Sequence, residues 1–234
     1  SITPVRDQFQ GFTPETVEFM WGIRFQNERI WFEAHKDVYL NTLYRPMQDL
    51  GRQAQLALVE KFPQEPWNLK VARIYRDARR LHGRGPYKDH LWFTLIRGDD
   101  SALGSHPALW FELTPDGWSC GMGFWCAKAS LMECHRQEIL RDPKPLLKLE
   151  RTLKRQDRFA LEGPEYRRPK PCPEAELSAW FNKKSLSVSH EEGLCELLYT
   201  PQLADQLIED FIFLKPYYDY FSALAAKLPT QVIE

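Results

Sequence analysis

Between Ala72 and His90 the chain reads ARIYRDARRLHGRGPYKDH. From Lys70 to Lys88 seven cationic side chains (Lys70, Arg73, Arg76, Arg79, Arg80, Arg84, Lys88) stand against Asp77 alone, a local balance of +6 in a chain whose net charge is −1. Such a concentration suits an anion, because guanidinium groups fork onto two oxygens of a phosphate or carboxylate, which lysine cannot do. Gly83 and Gly85 allow the backbone close to a ligand, Pro86 stiffens the exit and Tyr87 offers a hydroxyl. A strand over Leu69 to Arg76 would put Arg73, Tyr75 and Asp77 on one side and Ile74 with Arg76 on the other. Arg73 to Asp77 then reads as framework and Arg79 to Lys88 as contact surface. The competing reading pairs Arg76 with Asp77 as an internal support and leaves the other arginines on a solvated face.

A second basic stretch ends in Tyr166-Arg167-Arg168-Pro169-Lys170, a proline-stiffened loop that could complete a pocket or simply lie on the surface. The expected ligand contacts are Arg76, Asp77, Arg79, Arg84, Tyr87 and Lys88 from the first stretch, with Arg168, Lys170 and Lys184 from the second. The ligand class is a small anionic or phosphorylated molecule, with turnover left open. The alternative is a non-catalytic interaction module that grips an acidic protein or a nucleic acid. The overall charge of −1 argues against a surface that tracks nucleic-acid phosphates.

Other chemistries find little support. His35, in WFEAHK, is surrounded by aromatic residues and reads as a packed histidine rather than an acid or base. Ser119 and Ser130 lack a nucleophile-elbow sequence, and no phosphate-binding Gly-rich loop occurs. Cys120, Cys126, Cys134, Cys172 and Cys195 form no Cys-x-x-Cys pair, so they read as buried thiols of a reducing compartment rather than zinc ligands. No cofactor or metal is implied, and catalytic residues are not assignable. No uncharged apolar run reaches the roughly 18 residues of a membrane helix, and Ser1 to Asp7 shows no signal pattern, so the expected location is the cytoplasm.

The elements that would hold these residues form one α+β domain over residues 1–234, with a mainly antiparallel sheet flanked by N-terminal and C-terminal helices. Thr13-Pro14-Glu15 starts a helix to about Phe25, a second begins near Asn27, and helical spacing runs to about Glu60 with a break or new start at Pro46. Alternation marks strands at Leu69 to Arg76, Leu91 to Arg97, Ala108 to Thr114 and Trp118 to Trp125, the last two joined by a Pro115-Asp116-Gly117 turn. A helical C-terminal part spans about 128–228, with helices near Lys128 to Leu140, Pro145 to Asp157 and from Thr200-Pro201 onward, and a proline-rich loop at Glu162 to Pro173.

Several ordered segments together resemble the protein family catalogued as domain of unknown function 2461. They are FQGFTPET from Phe9, NERIWFEAHKDVY from Asn27, Arg73 to Lys88, Ala108 to Ile139, and Leu161-Glu162-Gly163 with Pro169-Lys170 and Lys183-Lys184. The resemblance implies a single α+β unit and no established activity. Where that family runs Phe-Ser-x-Asp-Lys-x-Pro-Tyr-Lys, this chain has Gly83 in place of Asp and Arg84 in place of Lys. Arginine forms no Schiff base and stays protonated, so the swap keeps a binding role at Arg84 and removes a nucleophilic one.

Overall fold

A computed structural model describes residues 8–98 and 106–228; Ser1 to Asp7, read above for a signal pattern, lie outside the described residues. Strands β1 (Trp67–Val71), β2 (Leu91–Arg97), β3 (Ala108–Thr114), β4 (Gly117–Gly123), β5 (Ala160–Glu162) and β6 (Ser187–Gly193) form a six-stranded antiparallel sheet in the order β1-β2-β3-β4-β6-β5. With its flanking helices this is the α+β architecture expected from the sequence. The chain divides into two compact units: Ser1–Gly98, Trp110–Cys120 and Glu191–Asp210 form the first, and Asp99–Leu109, Gly121–His190 and Phe211–Glu234 the second.

The first unit begins with α1 (Pro14–Phe25), α2 (Arg29–Val38) and α3 (Arg45–Lys61). Thr13 caps α1: its N–H donates to Thr16 Oγ1 at 3.0 Å, and Pro14 follows where a missing N–H costs nothing. Between α2 and α3 the backbone takes a π-helical stretch, Tyr39–Tyr44. Its cause is the break expected at Pro46, which has no N–H for the Thr42 carbonyl four residues back; that oxygen accepts from Thr16 Oγ1 at 2.7 Å instead. Helix α3 packs against β1 and β2 at Gly51, where a Cβ would stand 2.7 Å from a Leu69 methyl and 3.2 Å from the Phe93 ring. Leu91, Phe93 and Leu95 of β2 and Phe111 and Leu113 of β3 are buried, while Trp92, Thr94, Trp110, Glu112 and Thr114 alternate onto the half-exposed face.

The strand expected over Leu69 to Arg76 ends at Val71, and the reason lies in its partner. Between the pairs Val71↔Phe93 and Tyr75↔Tyr87 one strand advances four residues and the other six. Ala72 N–H still reaches Trp92 O at 2.9 Å and Lys88 N–H reaches Ile74 O at 2.8 Å, so the two surplus residues lie among Asp89, His90 and Leu91. This bulge breaks the regular ladder and turns the Asp89-His90 side chains away from strand alternation.

The second unit carries α4 (Ala129–Arg141), α5 (Lys144–Lys154), α6 (Ser178–Phe181) and the later part of α7 (Gln202–Ala226). Its core is aromatic: the Trp180 ring stacks on Tyr217 at 6.3 Å and on Phe221 at 6.2 Å, and Tyr217 donates its hydroxyl to Leu149 O at 2.7 Å. Strands β5 and β6 fall within the stretch expected to be helical. The sequence of β6, SVSHEEG, offers Val188 as its sole large apolar side chain, so it has no stripe of either period to read. Pairing with β5, Leu161 opposite Val188, holds it in place. No helix among the described residues is long and apolar enough to cross a membrane.

Candidate functional site

The cationic segment of the first unit folds into an inner and an outer group. Arg76 is half-buried; its Nε donates to Tyr87 O at 2.9 Å, and its Nη1 is buried with no hydrogen-bond partner among the described residues. Lys88 Nζ donates to Arg73 O at 2.5 Å and lies 4.7 Å from the centre of the Trp92 ring. Burial, followed by repulsion from Arg84, pulls the Arg76 guanidinium below its ordinary pKa; burial, followed by Arg76 and Arg73, does the same for Lys88. These cations therefore repel one another, and the Asp89 carboxylate offsets this in part at Arg76.

The outer group is tied to its own loop. Arg79 donates from Nε and Nη2 to Asp77 at 3.2 Å, so Asp77 pairs with Arg79 rather than with Arg76. Those hydrogen bonds hold the Asp77 carboxyl below its usual range. Arg84 donates to the carbonyls of Leu81 and Arg80, each at 3.2 Å. Gly85 does bring its backbone close to a neighbour, but that neighbour is Asn27, whose Oδ1 would lie 2.1 Å from a Cβ at this position. Asn27 accepts from Tyr87 N–H at 2.9 Å and donates to Tyr87 O at 2.8 Å and Ile23 O at 3.0 Å, clamping the loop onto the turn after α1. Tyr87 is buried, its ring stacked 4.3 Å from Phe32.

In the second unit the proline-rich loop is held by Asn182, which is 5% exposed. Its Oδ1 accepts from Lys170 N–H at 2.6 Å and its Nδ2 donates to Lys170 O at 3.1 Å, while its own carbonyl accepts from Tyr166 N–H at 3.1 Å. Three cations then gather round Tyr166: Arg136 at 5.1 Å from the ring centre, Lys170 at 5.3 Å and Lys184 at 5.9 Å. Arg136, from α4, is buried and donates to the Tyr166 hydroxyl at 2.7 Å and to Glu133 at 2.6 Å. Hydrogen bonds from Gln137 and Arg136 keep Glu133 below the usual carboxylate range. The Lys170 ammonium also acts through space on the Glu133 carboxylate. Lys183 differs: it is buried and donates to Gly163 O at 2.9 Å and Glu165 at 3.1 Å. Arg168 is exposed on the same loop. Arg136, which completes the cluster, carried no signal in the sequence beyond one cation in an amphipathic helix.

A third constellation, in the first unit, was also missed. Asp89 accepts from Arg24 Nε at 2.6 Å and makes a 2.8 Å hydrogen bond with His90 Nδ1. Burial pushes the Asp89 carboxyl up, but the hydrogen bonds from His90 and Arg24 outweigh it and hold the group below its ordinary value. His90 stacks on Trp92 at 5.6 Å, and its side chain keeps 32% of its surface open. Facing it on β3 is Glu112, whose carboxyl is raised by burial and by the charges of Asp89 and Glu191, with His90 acting in the other direction. Glu112, Thr114, Asp116, Ser119, Glu191 and Glu192 line a cleft of about 350 Å³. The only signals were an acid centred in the apolar run LWFELT and a histidine at the end of the cationic motif.

His35 takes the packed role, stacked 3.9 Å from Trp31 with Nδ1 hydrogen-bonded to Trp31 O at 2.7 Å. All five cysteines are free, and among the described residues no three His, Cys, Asp or Glu side chains gather as a metal-ligand set.

Comparison with known families finds a match over residues 15–220 to the model described as conserved hypothetical protein (DUF2461). No curated protein matches the chain.

Proposed function

The chain belongs to the DUF2461 family, and we propose that it binds a small anionic ligand, bearing phosphate or carboxylate, at the Arg76–Lys88 segment. The observation that carries the reading is the Arg76 guanidinium: one of its donors is buried without a partner, and its neighbours Arg84 and Lys88 are cations. A buried donor left unmatched is costly, and a bound anion oxygen would satisfy it while relieving the repulsion. Arg79 and Arg84, held at the rim by Asp77 and by loop carbonyls, steer an anion inward rather than grip it. In the second unit, Lys170 and Lys184 at Tyr166 support a separate anion contact of the same chemistry, with exposed Arg168 beside it. Five free cysteines suit a reducing, cytoplasmic setting.

Thermal denaturation in the presence of inorganic phosphate and a panel of phosphorylated and carboxylated metabolites tests this. A ligand at 100 times its Kd adds about 2.7 kcal/mol, which in a chain of this size raises Tm by roughly 5–10 °C. Arg76→Gln should abolish the shift, and Arg79→Ala with Arg84→Ala should only weaken it. No stabilisation by any anion, or an undiminished shift in Arg76→Gln, refutes the site.

One observation favours an interaction module as the second reading. Phe25 and Ile30 are 76% and 84% exposed at the α1–α2 turn, beside Arg29 and the cationic loop that Asn27 clamps there. Exposed apolar residues rimmed by cations fit an acidic protein surface. Salt-sensitive binding lost in Phe25→Ser with Ile30→Ser, and retained in Arg76→Gln, would decide for it.

A further inference from the structure

The bulge at Asp89-His90 does more than end a ladder. It places on the half-exposed face of the sheet an imidazole whose Nδ1 is hydrogen-bonded to a carboxylate that is itself held by a guanidinium. In that chain, Arg24 to Asp89 at 2.6 Å and Asp89 to His90 at 2.8 Å, the acid orients the ring and selects the tautomer with the proton on Nδ1. The other nitrogen, Nε2, is thereby left as a base on a side chain that solvent still reaches. Bulges recur beside active sites because they re-aim a side chain out of strand alternation.

The second carboxyl is Glu112. The charged groups that face it are His90 and Asp89 from the bulge and Glu191 from β6, and Arg24 reaches the same corner through its 3.4 Å contact with Asp116. Asp89 and Glu112 are thus driven in opposite directions, Asp89 toward the ionised form and Glu112 toward the protonated form. Glu112 also borders the cleft and can give up a proton there, whereas Asp89 serves to hold the His90 ring.

We infer that Arg24, Asp89, His90 and Glu112 form a hydrolytic acid–base site, in which His90 is the general base, Asp89 its orienting group held by Arg24, and Glu112 the general acid. His90 Nε2 takes a proton from a water molecule as the water oxygen bonds to the substrate carbon. The bond from that carbon to its leaving oxygen or nitrogen breaks, and the leaving atom takes the proton of Glu112. The His90 proton then returns to Glu112 through solvent, so that one water is consumed per bond cleaved. The cleft that Glu112 borders is lined also by Asp116, Glu191 and Glu192, with the hydroxyls of Thr114 and Ser119. Asp116, Glu191 and Glu192 disfavour anions there, with Arg24 offsetting Asp116 in part, so the part of the substrate that reacts is uncharged or cationic: an ester, amide or glycoside of a polar molecule. The inference does not depend on anion binding at Arg76, since none of the four residues supplies that site.

The test uses the full chain and chromogenic esters, amides and glycosides in uncharged, cationic and anionic versions. Uncharged or cationic members should be cleaved and anionic ones spared. His90→Ala should lower kcat/KM by about 10²–10⁴-fold, and Asp89→Asn, which keeps the shape but disturbs the tautomer, should lower kcat with little change in KM. Glu112→Gln should lose the fall in rate on the alkaline side that marks a required acid. Nitrogen NMR of labelled histidine reads the geometry without any substrate: the neutral His90 ring should carry its proton on Nδ1. Cleavage of no member of the panel, full activity in His90→Ala, or a proton on Nε2 each overturns the inference.

Discussion

Acidification should loosen the second unit through one residue. His135, on α4, is fully buried and donates from Nε2 to Trp180 O at 3.0 Å, while burial drives its pKa from 6.5 to about 4. Its ring lies 5.2 Å from Phe221, and Arg136 is next to it in the chain, so an imidazolium there meets an apolar wall and a second cation. The folded state binds this proton more weakly than the unfolded state. Its contribution is therefore intact above the unfolded pKa of about 6.5 and declines as pH falls toward about 4. From these two values the loss is about 2 kcal/mol by pH 5 and about 3 kcal/mol by pH 4. Carboxylates also titrate over part of that range, so the measurement compares wild type with His135→Gln, whose amide nitrogen can still donate to Trp180 O but cannot titrate. Urea denaturation at pH 7 and pH 5 gives each stability. Whatever the substitution costs at pH 7, the difference should move by about 2 kcal/mol in favour of the variant at pH 5. Equal pH dependence in the two proteins would refute the reasoning. Because α4 carries Arg136 into the Tyr166 cluster, anion binding there should fail over the same pH interval.

Asn27→Ala removes three hydrogen bonds from the clamp on the cationic loop and should cost about 2–3 kcal/mol in urea denaturation. Gly85→Ala drives a methyl into Asn27 and should cost about 1–3 kcal/mol, and much of that cost should persist beside Asn27→Ala, because the Asn27 backbone oxygen would also stand 2.5 Å from the new Cβ. Arg79→Ala and Arg84→Ala should each change stability by under about 0.5 kcal/mol, because their bonds are exposed and local. Gly163 sits at φ +134° with Ser185 O 2.1 Å from where a Cβ would be; Gly163→Ala should cost about 1–3 kcal/mol, read as a lowered midpoint.

Where local chemistry decides an element, it could be read from the chain. Thr13-Pro14 starts α1, Pro46 interrupts the helical run, and alternation with β-rich composition marks β2 and β3. The antiparallel α+β class followed from those pieces. What stayed hidden depends on a partner far along the chain. Strand β1 is cut short by surplus residues on the neighbouring strand, and β6 is a strand because β5 pairs with it. Gly85 suggests room for a ligand, while its occupant, Asn27, is 58 residues away. The cationic segment announced itself by composition, which reports charge but not direction: Arg84 and Arg79 bond to their own loop, and Arg76 keeps a buried donor unmatched. His90 and Glu112 were the least visible, because each is ordinary in its local pattern and gains meaning only from the face they share.

Strand alternation gives Glu112 a task during folding as well. Shifting β3 by one residue against its neighbours would exchange its two faces, sending Glu112 and Thr114 toward the core and Phe111 and Leu113 into water. A carboxyl driven into that interior finds no partner, so the misaligned sheet is penalised twice, by the buried acid and by the lost apolar burial. The same side chain that faces His90 thus rejects the wrong alignment of the strands. Glu112→Leu should accordingly relax strand choice as the chain folds, populating misregistered forms even where the native sheet gains stability from the added apolar surface.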